Sequence, residues 1–279
     1  MCTYNDWCLS VSPLLASTVT WIVADVPSLT DYRPRQFLSG REQSTFLLSF
    51  FGMQPYERHG LAIPQEHILT PYDTTPRSWS NTWLGFTMPS TLPVATSAHN
   101  FDDGMLHGVL WGKSASYLRT PSALAVIDSL SRQPNVVLHT TATGLKLRHG
   151  NVVHHSHLAR EDWLALLNAA HFLVGLGDPV LGPTAVEAVT LGCLFLNPTF
   201  SRPHLASKET SQHSFLEKRR DLMDIVCMYD AGNGNDAVRC LERIPRRADT
   251  GAYQRFEPHP IPEFQPDTYV RRLETILTA

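Results

Sequence analysis

The sequence predicts a doubly wound α/β protein, a parallel sheet covered by helices on both faces, at least over residues 82–279. Three observations carry that prediction. Short, continuous apolar runs such as Phe172-Leu173-Val174 and Cys193-Leu194-Phe195-Leu196 read as strands buried on both faces. Amphipathic segments at helical spacing alternate with these runs. Pro and Gly punctuate the joins at Thr120-Pro121, Pro134-Asn135, Gly182-Pro183 and Gly192.

The elements follow in order. Trp21–Val26 reads as a strand. Arg33 to Phe50 reads as a helix whose Phe37, Phe46, Leu47 and Phe50 share a face, ended by Gly52. Residues 53–81, with Pro55, Pro64, Pro71 and Pro76, read as loop. Trp83-Leu84-Gly85-Phe86 and Gly108-Val109-Leu110-Trp111-Gly112 are strands. Thr120 as N-cap and Pro121 at the first helical position start a helix with Leu124, Ile127 and Leu130 inward. Val136-Val137-Leu138 follows, then a helix over 159–170 with Trp163, Leu164 and Leu167 inward. Beyond Phe172–Val174, a helix opens at Gly182-Pro183 and closes at Gly192. Cys193–Leu196 and Ile225–Met228 are further strands. Asn235 is expected to cap a helix bearing Val238, Leu241 and Ile244. The last helix carries Val270, Leu273 and Leu277.

Composition narrows the class. The chain has 279 residues, 43% hydrophobic and 18% charged, with a net charge of -3, which excludes a disordered chain and argues against a nucleic-acid partner. Its five cysteines form no Cys-x-x-Cys pair; Cys193, Cys227 and Cys240 sit in apolar surroundings and read as small buried hydrophobes. The uncharged run Trp7–Ala24 is too polar for a spanning helix, and no basic segment precedes it as in a signal peptide. His154-His155-x-His157 lacks a Cys or carboxylate at ligand spacing, so no metal is expected there. Trp79, Trp83 and Trp111 are sugar- or uracil-stacking candidates that packing explains more simply.

In such sheets ligands bind beyond the carboxyl ends of the strands. The densest signal of that kind is the string HFLVGLGDPVLGPTAVEAVTLGCLFLNP from His171. Gly175 and Gly177 follow the strand, where a missing side chain lets backbone N–H groups approach a ligand. Gly182, Pro183 and Thr184 open the next helix, whose positive dipole end suits a diphosphate. Glu187, one turn in, can reach back toward ribose hydroxyls. The simpler alternative is a packing turn. The spacing is neither a dinucleotide fingerprint nor a phosphate loop. Lys113, just past a strand end, is a candidate counter-charge to the diphosphate, a solvated surface lysine being the other reading.

This string resembles the donor-binding segment of the alpha-1,6-mannosylglycoprotein 6-beta-N-acetylglucosaminyltransferases, glycosyltransferase family 18 (the N-acetylglucosaminyltransferase V group). Other pieces fall in the family's order: Phe51-Gly52 with Pro55 and His59, Leu84-Gly85-Phe86, Gly112-Lys113 and Ser211-Gln212-His213. The resemblance implies a GT-B architecture. A partial N-terminal Rossmann-like domain on the acceptor side would occupy residues 1–80. A UDP-sugar-binding Rossmann-like domain would occupy 81–279. It implies a UDP-GlcNAc donor, a glycoprotein N-glycan acceptor and an inverting β-1,6 transfer without metal or other cofactor. Gly175, Gly177, Gly182, Pro183, Thr184, Glu187 and Lys113 are the implied donor-binding residues. The implied compartment is the Golgi, with membrane attachment through an N-terminal anchor that this sequence does not display.

The departures matter too. Neither Asp25 nor Asp31 stands where the family's general base belongs, so the catalytic base is unassigned. Val180-Leu181 replaces the family's Tyr-Glu before Gly182, which removes an acidic contact. A family lysine has only Lys208, expected at the surface, as its nearest substitute. Two further readings therefore remain: a UDP-sugar-binding module, non-catalytic or truncated, without the base, and a packing domain without a ligand.

Overall fold

A computed structural model describes residues 21–23, 40, 42–58, 61–73, 80–88, 101, 103–112, 114–142, 151–155, 158–204 and 208–278. Expectations on Asp25, Asp31, Phe37, His59, Trp79, Lys113 and His157 lie outside the described residues. The chain forms two compact units, residues 1–87 with 266–279, and residues 88–265.

The first unit holds a parallel sheet ordered β1-β2-β5-β6, from β1 (Trp21–Val23), β2 (Thr45–Leu48), β5 (Ile68–Thr70) and β6 (Thr82–Trp83). A hairpin of β3 (Tyr56–Arg58) and β4 (Leu61–Ile63) closes a small core of Leu47, Tyr56, Leu61, Ile63 and Ile68. The sequence reading of residues 33–50 as a helix fails at its described end. Thr45–Leu48 lies between two parallel neighbours, and that burial outweighs an accidental helical spacing. The loop expected over 53–81 likewise contains the hairpin and β5.

The final helix, α7 (Pro266–Thr278), was expected with the second domain, yet it packs on the first unit's sheet. Tyr269, Leu273 and Ile276 meet Phe46, Leu69 and Leu84, while Val270 and Leu277, expected inward, are exposed. The Arg272 guanidinium lies 4.1 Å over the Trp83 ring, and its Nε donates to the Leu84 carbonyl at 2.9 Å. Trp83 also donates from Nε1 to the Pro71 carbonyl at 3.2 Å, so it serves packing.

The second unit is the doubly wound domain the sequence predicts. Its six strands are all parallel: β7 (Leu106–Leu110), β8 (Val136–Thr140), β9 (Val152–His154), β10 (Phe172–Val174), β11 (Leu194–Thr199) and β12 (Val226–Asp230). Their order is β12-β11-β10-β7-β8-β9. After α1 (Ala115–Leu118), α2 (Pro121–Ser131) and α6 (Gly234–Cys240) pack together. They cover the face carrying Leu110, Leu138, Phe172, Val174 and Leu196. By alternation Leu173 and Phe195 point to the opposite face, and both are fully buried. On the other side α3 (Arg160–Ala169) and α4 (Pro183–Thr190) pack together, α4 lying against β10 and β11, and the short α5 (Ser214–Glu217) lies against β12.

Local details sort the finer expectations. The Thr120 side chain accepts from the Ala123 N–H, and Pro121 takes the first turn. Leu124, however, is exposed, and the buried stripe is Ala123, Val126, Ile127 and Leu130. The cap of α6 is Asn233, not Asn235. β9 lies in a stretch to which the sequence reading gave no element. Cys193 is a buried free thiol, pushed up to about 12 by desolvation. Cys227 and Cys240 correct the sequence reading: they form a disulfide joining β12 to α6.

Candidate functional site

The strand order reverses between β7 and β10: the chain leaves β7 toward β8 and β9, then returns to build β10, β11 and β12 on the other side. The crevice beyond the carboxyl ends of β7 and β10 is therefore the switch point, where doubly wound folds place ligands. The loop 175–182 and the start of α4 lie there, beside Trp111 at the end of β7. Trp111 donates its N–H to the Val174 carbonyl at 3.0 Å and packs its ring edge-on against Phe195, so it is a packing residue.

Gly175 is needed because protein fills the place of its side chain. A Cβ there would lie 2.3 Å from Gln212 Oε1, 2.8 Å from Pro198 Cδ and 2.9 Å from the Leu196 carbonyl. Its N–H donates to Leu196 O at 2.9 Å, and its carbonyl accepts from the buried Tyr229 hydroxyl. Gly177 has φ +105°, open to glycine at little cost; its N–H donates to Gln212 Oε1 at 3.0 Å. These two N–H groups, which the sequence reading aimed at a ligand, thus bond to protein. Leu181, at φ 55°, is left-handed too, a conformation costing about 1–2 kcal/mol in a non-glycine residue. Its N–H bonds to the Gln212 carbonyl at 2.8 Å.

Gly182 is the N-cap residue of α4, and a Cβ on it would strike Trp111 Cζ2 at 2.6 Å. The helix start thus docks on the indole. Pro183 brings no N–H, and no side chain caps the first turn. Thr184, half-buried, is the first residue of α4 with both an N–H and a hydroxyl to offer. Of the predicted donor residues, Gly182, Pro183 and Thr184 come together at this helix end. Asp178, the acidic residue of the loop, pairs with His204 Nε2 at 3.2 Å, and Lys208 is exposed as expected.

Glu187 stands elsewhere in the site. Its side chain is 2% exposed and faces α3: Oε1 pairs with Arg160 Nη1 at 2.5 Å, and Oε2 accepts from Trp163 Nε1 at 3.3 Å. The opposite ends of α3 and α4 are fixed by Arg255. Its guanidinium donates to the Ala170 and Leu191 carbonyls and to Asn168 Oδ1, satisfying the ends of both helices. Burial lowers the Arg255 pKa. Among the described residues no group of three His, Cys, Asp or Glu is arranged to hold a metal.

Sequence reasoning gave no role to Gln212 and His213, both fully buried. Gln212 Nε2 donates to the Pro179 carbonyl at 2.9 Å. The His213 ring accepts from the Leu216 N–H at 3.4 Å and donates to the Gly182 backbone; desolvation holds its pKa down at about 3. Hydropathy assigns such residues to the surface, and only their place in the family-like order singled them out.

Comparison with known proteins agrees with this geometry. Solved structures support the GT-B fold alone: a UDP-GlcNAc 2-epimerase from Methanocaldococcus jannaschii has TM-score 0.51 at 9% identity, covering 95% of this chain and 78% of that one. A mutant O-GlcNAc transferase from Thermobaculum terrenum has TM-score 0.50 at 16% identity, covering 99% and 52%. Alpha-1,6-mannosylglycoprotein 6-beta-N-acetylglucosaminyltransferase A of Cricetulus griseus is 29% identical over 178 residues, 59% of this chain and 23% of that protein. The Caenorhabditis elegans alpha-1,6-mannosylglycoprotein 6-beta-N-acetylglucosaminyltransferase is 30% identical over 189 residues, 61% and 26%. The chain thus spans about a quarter of the length of these curated relatives. The family profile described as Glycosyltransferase family 18 matches residues 51–225, and the chain belongs to that family.

Proposed function

We propose that this chain forms the donor side of a UDP-GlcNAc-dependent N-acetylglucosaminyltransferase that extends α-mannose of N-glycans in β-1,6 linkage. The observation that carries the reading is the start of α4, without a side-chain cap, at the switch point of a parallel sheet. A helix start of this kind offers unpaired N–H groups and the positive end of a dipole to a diphosphate. The bound UDP would place its diphosphate at Thr184 and the first turn of α4, with Lys113 as the counter-charge. Glu187 would accept ribose hydroxyls when the Arg160 guanidinium, more than half exposed, gives way.

In the transfer, a carboxylate base takes the proton of the mannose 6-hydroxyl. O6 then attacks the anomeric carbon from the face opposite UDP, and the bond from that carbon to the β-phosphate oxygen breaks. UDP departs with the electron pair, and the configuration inverts. Charge on the leaving diphosphate is met by donors already in place. That no metal is required rests on the family resemblance. The Cys227–Cys240 disulfide supports maturation in an oxidising compartment, which fits Golgi residence.

A second reading is a UDP-sugar-binding module without transfer, since no catalytic base is identified among the described residues. Calorimetric titration of UDP and UDP-GlcNAc in metal-free buffer, beside Glu187→Ala, tests donor binding. Micromolar binding weakened by the substitution supports the site, and no binding by the unaltered chain refutes it. Transfer of GlcNAc to a biantennary glycan then separates enzyme from binding module.

A further inference from the structure

We infer that Gln212 is a positioning residue for the donor diphosphate, acting through the loop 177–182; this rests on the donor-site reading above. One residue holds that loop at three points. Its carboxamide accepts from the Gly177 N–H at 3.0 Å through Oε1 and donates to the Pro179 carbonyl at 2.9 Å through Nε2. Its own carbonyl takes the Leu181 N–H at 2.8 Å, while its N–H anchors it to Pro198 O, in β11, at 2.9 Å. The neighbouring His213 extends the mould to the helix start, because its ring donates to the Gly182 backbone. Asn197 locks that pair in turn: its Oδ1 accepts from the His213 N–H at 3.0 Å, and its Nδ2 donates to the His213 carbonyl at 3.2 Å.

The chemistry of this position is narrow. It requires an acceptor and a donor on one planar group, at the end of a two-methylene stem, which among side chains is glutamine. Glutamate matches the shape but offers no donor to Pro179, and methionine matches the length with neither function. Gln212 is fully buried, so no water replaces a lost bond. The loop contains two left-handed residues, Gly177 and Leu181, and persists in that shape because its surroundings over-determine it. Gly175 has no side chain for the same reason: its Cβ would occupy the place of Gln212 Oε1. The loop sets where α4 begins, and so where its first-turn donors point.

The test uses the full chain with Gln212→Glu and Gln212→Met, titrated with UDP and with uridine, alongside thermal unfolding. The expected result is UDP binding weakened tenfold or more with uridine binding unchanged, since only the phosphate end depends on the loop. Equal loss of both ligands means general damage and overturns the inference, as does unchanged UDP binding in either variant. Amide hydrogen exchange of the unaltered chain gives a reading even where the variants do not fold. The Gly177 and Leu181 amides should be protected without ligand, and UDP should add protection at Thr184 and Ala185. A Gly177 amide that exchanges freely until UDP is added overturns the inference. If the unaltered chain binds uridine but not UDP, or neither, the donor reading itself falls and this inference falls with it.

Discussion

Alanine at Gly175 and at Gly177 gives the sharpest test of how the loop is built, because the two glycines are required for different reasons. At Gly175 the new methyl meets three atoms inside normal contact, at 2.3, 2.8 and 2.9 Å. Two of them, the Leu196 carbonyl and the Pro198 ring, belong to β11 and have nowhere to go. The third, Gln212 Oε1, can retreat only by releasing the Gly177 N–H, a loss of about 1 kcal/mol for a buried hydrogen bond. Overpacking a rigid site adds about 1–3 kcal/mol, so Gly175→Ala should cost about 2–4 kcal/mol. At Gly177 the nearest atom to a new Cβ is Phe200 Cε1, 3.7 Å away, and the cost is the left-handed backbone alone, about 1–2 kcal/mol. Scanning calorimetry should show Gly175→Ala melting about 5–15 °C below the unaltered chain and Gly177→Ala a smaller shift. A Gly175→Ala protein as stable as Gly177→Ala would refute the packing on which the loop depends.

Two further outcomes follow from the second unit. Reducing the Cys227–Cys240 disulfide, which closes a loop with a sequence separation of 13, should cost about 3 kcal/mol; an unchanged melting temperature in reductant counts against the bond. His171 and His213 are held neutral by burial, with pKa values brought down to about 4 and about 3. Unfolding restores both toward 6.5, so the unfolded chain binds more protons and stability is lost as pH falls below 6.5 toward 4. The loss should approach about 3 kcal/mol per pH unit for the two together. Urea midpoints that stay level from pH 6.5 to 4.5, or a slope no shallower in His171→Gln, would contradict that assignment.

The inner strands of the second unit's sheet were legible because they are buried on both faces, whereas β9, largely exposed, was not. Phe172–Val174 and Leu194–Leu196 are then continuous apolar runs, while the covering helices mix polar residues in at their surface. The first unit's strands are three or four residues long or shorter, within a segment dense in proline, so local pattern could not separate strand from helix or loop at Thr45–Leu48. The stripe of α7 was misread at Val270 and Leu277 because the surface it meets comes from Phe46, Leu69 and Leu84, remote in sequence. The disulfide was missed for the same reason: Cys227 and Cys240 look like core residues until β12 and α6 bring them together. Thr120-Pro121 was readable because a cap and a first-turn proline act within one turn.

The glycines of the loop show where sequence logic overreached. A glycine after a strand was read as room for a ligand, but a missing Cβ says only that something stands close by. At Gly175 that neighbour is Gln212 and Pro198, and at Gly182 it is Trp111. What a diphosphate needs is donors, and donors can be accounted for one at a time. The Gly175, Gly177 and Leu181 N–H groups are paired within the protein, and Pro183 has none. The loop therefore spends its polarity on its own shape, and in this segment the proposed diphosphate has only the first turn of α4, which no side chain caps, to turn to. On this accounting the proposed diphosphate site would depend on residues that do not line it, Gln212 beneath the loop and Trp111 beneath the helix start.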